Sequence, residues 1–220
     1  MNTTLSLLGI AGAMALGAMS PGPSFVMVAR TAVASRSDGL AAALGMGAGG
    51  LVFAIAALAG LQAAFLAVPG LYLAIKGFGG AYLVYLGVRI WQGARQPLAL
   101  GAGQEGLGTS PAAQGSQRRA LRTFLFGLAT QVSNPKTAVV YASIFAAFLP
   151  HDVPLALALA VPAVIFCIET GWYTVVALAL SSAAPRSAYL RYKAWIDRAA
   201  GGVMGLLGLR LVGSALRGGN

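Results

Sequence analysis

The stretch QVSNPKTAVV, residues 131–140, places an asparagine, a proline and a lysine inside a segment that is otherwise apolar from Leu121 to Leu149. A second stretch, AMSPGPSFVM at residues 18–27, interrupts another apolar run near the start. Proline inside a helix removes a backbone donor and clashes with the carbonyl four residues back. A lysine midway along a membrane span costs at least ~2.5 kcal/mol on insertion scales. Breakers and a charge in such places call for a reason, and it depends on what kind of chain surrounds them.

The 220 residues are 58% hydrophobic and only 9% charged, with mean hydropathy +0.77. Soluble domains carry about a quarter charged residues. So few charges do not cover a water-facing surface, and the composition describes an all-α, multi-pass membrane protein rather than a soluble helical one. The 30 glycines agree, because small residues let membrane helices approach closely where lipid gives no hydrophobic drive between them. A single cysteine, Cys167, excludes an intramolecular disulfide and a thiolate metal site. The one histidine, His151, stands beside Asp152 in an expected loop, so neither a metal site nor a cofactor is expected. The first residues lack the positive charges of a signal peptide and read as a retained first span. A net charge of +10 would point to nucleic acid in a soluble protein. Here its distribution along the spans matters more, and no nucleic-acid partner is expected.

A span needs roughly 20 mostly apolar residues. Candidates are 4–31, 39–63, 68–91, 121–149, 153–181 and 197–216, with a short turn at Val68-Pro69-Gly70. The last is the weakest, since it carries Arg198 and Arg210, and five spans is the competing count. Basic residues cluster in three connections: Arg30 and Arg36; Arg89, Arg95, Arg118, Arg119 and Arg122; Arg186, Arg191, Lys193 and Arg198. Positive charge marks the cytoplasmic face. With six spans all three connections share that face, and both termini lie outside. The expected location is a bacterial inner membrane, the chain in contact with lipid. Residues 95–120, rich in Gly, Ser, Gln, Ala and Pro, read as a flexible cytoplasmic linker. They separate a first half, 1–94, from a second, 121–220.

Three spans per half give the halves opposite orientations, the layout of inverted repeats in secondary transporters. Residue patterns agree. Gly80, Gly87 and Arg89 share the spacing G-x6-G-x-R with Gly201, Gly208 and Arg210, and Ile75 and Ile196 precede them equally. Ser-Pro-Gly-Pro at 20–23 and Ser-Asn-Pro-Lys at 133–136 break the first span of each half. Backbone groups freed within lipid must be satisfied by protein or water. The N-terminus of each continuing half-helix attracts an anionic group, and paired broken helices mark transporter substrate sites.

The order PGP, then SRSDGLAAALGMGAGG (35–50), KGFGGAYLVYLGVRIW (76–91) and FLFGLATQVSNPK (124–136) resembles the LysE/RhtB amino-acid exporters over nearly the whole chain. The resemblance implies a six-span inner-membrane exporter of amino acids coupled to the proton gradient. Pro21, Gly22 and Pro23 match the family's first motif, and Asn134, Pro135 and Lys136 its second. Where the family often has Asn, this chain has Ser24.

The candidate substrate-binding residues are therefore Pro21, Gly22, Pro23, Ser24, Asn134, Pro135, Lys136 and Glu169. Lys136 either caps a carbonyl freed by Pro135 or meets a substrate carboxylate. Glu169, in FCIETGWYTVV (166–176), is expected to be the only carboxylate placed deep in a span. It binds the substrate ammonium, carries the coupling proton, or forms a structural pair with Lys136 or Lys76. Asp38 and Lys76 are gate candidates. Asp38 would pair with Arg30 or Arg36 or serve as an interfacial cap, and Lys76 would snorkel to the outer interface. Trp172 or Tyr173 is expected beside a cavity. The expected activity is export of small amino acids, with no catalytic residues. Neutral substrates are preferred over basic ones, because a dibasic substrate would want a second buried carboxylate. Alternatives are export of another metabolite or ion, and an intramembrane hydrolase using Ser133 with Lys136. Gly-rich faces are compatible with a homodimer.

Overall fold

A computed structural model describes residues 3–20, 22–67, 71–96, 116–150 and 152–217. Pro21, the turn at 68–70, residues 97–115 of the linker and His151 lie outside the described residues. Those described form helices and no strand: α1 (Thr3–Met19), α2 (Pro23–Ala34), α3 (Arg36–Ala67), α4 (Leu71–Gly93), α5 (Ser116–Val132), α6 (Pro135–Phe148), α7 (Leu155–Leu180) and α8 (Ala183–Arg217).

The expected breaks are present. α1 and α2 are bent by 58° across Ser20 to Gly22, and α5 gives way to α6 at Ser133-Asn134. In each case proline occupies the first turn of the new helix, where its missing N–H costs nothing. Pro162 shows that proline alone does not break a helix, because α7 runs through it. What differs is the residue before the proline, Gly22 or Asn134, both in extended conformation at the N-cap.

By length and composition, three described helices can cross a membrane: α3 over residues 36–60, α7 and α8. The bent pair α1–α2 makes a fourth when taken as one span. Large apolar side chains face outward from this bundle, including Leu8, Phe78, Leu155, Leu159 and Leu206. A water-soluble bundle would carry charge there.

One expectation is corrected in extent. The connection expected before residue 197 is helical, since α8 starts at Ala183. Pro185 falls in its first turn, where it is tolerated, and the following residues continue the helix. At 1.5 Å per residue α8 is about 50 Å long, well beyond a ~30 Å hydrocarbon core. Its basic first turns therefore extend past the apolar part.

Close helix contacts run through glycine. A Cβ on Gly80 would lie 2.9 Å from the Gly208 carbonyl oxygen, and one on Gly201 would lie 2.7 Å from that of Gly87. α4 and α8 thus meet backbone to backbone. α3 meets α5 in the same way, with a Gly127 Cβ placed 2.6 Å from the Ala42 carbonyl oxygen. Two apolar clusters fill the interior. One gathers Ile10, Met14, Val140, Tyr141, Phe145, Leu157, Ile165 and Met204. The other gathers Phe25, Val28, Ala42, Met46, Tyr173, Val176 and Leu180.

Candidate functional site

The two breaks meet at one cavity of about 30 Å³, lined from one cluster by Met14, Val140 and Tyr141 and from the other by Phe25 and Tyr173. Its polar lining is Ser20, Gly22, Ser24, Gln131, Asn134, Lys136, Thr137 and Glu169. A water needs about 10–15 Å³ by this measure, so the space holds a water or two and no amino acid.

The residues around the two breaks are cross-linked to one another. Asn134 Nδ2 donates to Ser24 Oγ at 2.9 Å, and Ser24 Oγ donates to Gln131 Oε1 at 2.6 Å. The Asn134 side chain also accepts from the Lys136 backbone N–H at 3.0 Å, capping α6. α2 has no such side-chain cap, because Gly22 stands at its N-cap. That glycine lets Lys136 approach, since a Cβ there would lie 3.3 Å from Nζ.

Lys136 Nζ donates to both the carbonyl oxygen and the hydroxyl of Ser20, each at 2.9 Å. The lysine therefore caps a carbonyl freed at the other break, not one freed by Pro135. An ammonium has three donors, and the described residues engage two. Glu169 is 3% exposed. Its Oε1 accepts from the Tyr141 hydroxyl at 3.2 Å, and its Oε2 has no partner among the described residues. Glu169 and Lys136 share the cavity without forming an ion pair of their own. α3 accommodates the carboxylate at Gly50, where a Cβ would lie 2.9 Å from the Tyr141 hydroxyl and 3.0 Å from Glu169 Cγ.

Of the expected site residues, the structure brings together Gly22, Ser24, Asn134, Lys136 and Glu169. Pro23 and Pro135 start the two half-helices. Asp38 and Lys76 do not line the cavity. Asp38 pairs with Arg119 at 2.5 Å, joining α3 to α5. The Ser133–Lys136 pair does not form, because Lys136 turns to Ser20. Tyr173 lines the cavity, whereas Trp172 packs against the second apolar cluster.

Sequence reasoning missed Ser20, Gln131, Thr137 and Tyr141. Ser20 and Gln131 flank the breaks, and that position was their available signal. Glu169 is also not alone as a deep carboxylate. Asp197 is 2% exposed, because α8 begins earlier than expected and places it well inside the helix.

A family model described as LysE type translocator matches residues 15–215. The threonine efflux protein of Escherichia coli strain K12 is 32% identical over 195 residues, covering 88% of this chain and 91% of that protein. The threonine efflux protein of Salmonella typhi is 33% identical with the same coverage. An uncharacterized membrane protein of Haemophilus influenzae is 27% identical over 89% of this chain and 90% of its own. No solved structure matches the chain.

Proposed function

The chain belongs to the LysE type translocator family, and on that premise we propose that it exports small neutral amino acids, threonine foremost, in exchange for protons. Membership makes it a multi-pass inner-membrane transporter and not an enzyme. The named activity of the relatives supports threonine as the first substrate to try.

One observation carries the reading. Among the described residues, a lysine with an uncommitted donor and a glutamate with an uncommitted oxygen line the same cavity. Those are the two complements of a zwitterion. The carboxylate of the substrate goes to Lys136 and the uncapped N-terminus of α2, where the helix dipole adds to the attraction. Its ammonium goes to Glu169 Oε2. When the substrate leaves, a proton on Glu169 replaces the ammonium as the neutralising charge, which couples the two fluxes. Asp197 does not alter the preference for neutral substrates, because Lys193 already occupies it. Threonine does not fit in about 30 Å³, so loading requires the cavity to widen.

The architecture supports six spans in two inverted halves. Each half runs helix, break, helix, long helix, long helix. The matched glycines of α4 and α8 meet reciprocally, Gly80 against Gly208 and Gly87 against Gly201, as a two-fold relation requires. On this reading the basic connections are cytoplasmic and both termini are outside.

The test is efflux of preloaded labelled threonine from cells making wild type, Lys136→Ala or Glu169→Gln at matched expression. Losing a hydrogen bond to a charged group costs about 1.5–3 kcal/mol, about ten- to a hundredfold in affinity. Both variants are expected to lose export by at least the lower factor. Undiminished export by both would put the site elsewhere, and no amino-acid export by wild type would end the proposal.

A further inference from the structure

The outer side of the α4–α8 pair carries a groove of about 470 Å³ that shares no residue with the central cavity. Val84, Val88 and Trp91 line it from α4, and Gly202, Gly205 and Leu209 from α8. Spacings of three and four residues put each set on one helix face. Glycine keeps the groove open. A Cβ on Gly205 would meet nothing within 4 Å, and one on Gly202 would meet the Trp91 ring at 3.5 Å. Val88, Trp91 and Leu209 are exposed. From Val84 to Gln92 the α4 wall is about 12 Å long, close to half of a ~30 Å hydrocarbon core. The groove therefore has the length of about one leaflet.

Its charge is gathered toward one end. α4 and α8 are antiparallel, Gly80 against Gly208 and Gly87 against Gly201, so Trp91 and Gly202 lie at the same end. Arg198 is one turn before Gly202 on α8 and continues its face. The Arg198 guanidinium lies 5.9 Å from the centre of the Trp195 ring. Arg95 is in the turn after α4, beside Ala94, whose carbonyl oxygen accepts from Lys193 on α8. Arg89 follows Val88 on α4, and Arg210 stands alone near the other end. Among the described residues, neither Arg95 nor Arg198 pairs with a carboxylate: Asp38 meets Arg119 and Asp197 meets Lys193.

We propose that the groove binds one anionic phospholipid, with an acyl chain between α4 and α8 and the phosphate at Arg198. Arg89 and Arg95 add positive charge at the same end. A guanidinium matches phosphate in geometry, and basic pockets between spans suit anionic headgroups. Trp91 and Trp195 then lie near headgroup depth, where indole is favoured. A second copy of the chain is the competing occupant. Copies side by side in one membrane share an orientation, so a symmetric contact here would bring their arginines together with no carboxylate between them. A lipid phosphate supplies that negative charge. The site does not depend on what the central cavity carries.

The test uses the full chain in mild detergent, stripped of co-purified lipid. It is titrated with phosphatidylglycerol or with phosphatidylcholine of the same acyl chains, and bound lipid is read by native mass spectrometry. Wild type is expected to take up one phosphatidylglycerol at least about fivefold more tightly than phosphatidylcholine, the preference expected of one basic residue near anionic lipid. Arg198→Gln is expected to lose about fivefold for phosphatidylglycerol alone. Gly205→Leu projects a side chain into the groove and is expected to weaken uptake of both lipids. Equal wild-type affinity for the two lipids would overturn the site. So would an unchanged preference in Arg198→Gln, whether or not Gly205→Leu folds. Wild-type dimers without lipid preference that Gly205→Leu turns into monomers would assign the face to a second copy instead.

Discussion

At the scale of single residues, the site depends on a missing side chain as much as on present ones. Gly50 leaves room for the Tyr141–Glu169 pair. Gly50→Val pushes both away from the cavity, and threonine export is expected to fall about tenfold, in keeping with an overpacking cost of about 1–3 kcal/mol. Gly60→Ala, whose added Cβ meets nothing within 4 Å, is the matched control. Equal export by the two variants would show that Glu169 need not sit where it does. The charged members of the site, Lys136 and Glu169, were legible in the sequence because an ion in an apolar run is costly and so stands out. Ser24 and Asn134 were legible because they border prolines. Tyr141 gives no such signal: a tyrosine in a span reads equally well as packing, and only the fold turns its hydroxyl to Glu169. Asp197 escaped because its span boundary was set by hydropathy, which ends an apolar run at the first cluster of charges even where the helix continues.

At the scale of elements, glycine fixes which helices touch. The α4–α8 contact leaves no space for a Cβ at Gly87, which would lie 2.5 Å from the Gly201 carbonyl oxygen, whereas Gly205 has open space. Gly87→Ala is therefore expected to lower the thermal stability of the detergent-solubilised protein through an overpacking cost of about 1–3 kcal/mol, and Gly205→Ala to leave it unchanged. Melting curves followed by size-exclusion recovery decide between these, and equal curves would refute the backbone contact. The G-x6-G-x-R pattern made these glycines visible as a repeat. It did not reveal that the two copies face each other, since a spacing states periodicity within a helix and not its neighbour. The breaks were visible for a chemical reason, a proline preceded by a residue suited to an N-cap. The first turns of α8 were not visible, because arginines and a lysine read as a connection when only apolar length is counted.

At the scale of the whole molecule, the proposed topology is open to direct measurement. A reporter inserted at residue 105 is expected to score cytoplasmic, and one fused after Asn220 to score outside. A C-terminus scoring cytoplasmic together with residue 105 would rule out three spans after the linker. Orientation came from the distribution of basic residues alone, and the packing of helices does not say which end faces which compartment. The two breaks were legible from sequence, whereas their junction at a single cavity needed long-range contacts such as Asn134 to Ser24.

The two half-helices that meet at the cavity are not equally finished. α6 carries its own cap in Asn134, while α2 begins at a glycine with none. On the proposed reading, a passing carboxylate completes α2 for as long as it stays. Cargo then serves briefly as a part of the protein, and only one half gains by its arrival. A symmetric frame would give no reason for either half to yield first. With one end left incomplete, the carrier has a built-in difference between travelling full and returning empty, and a proton on the neighbouring acid is what the return journey has to borrow.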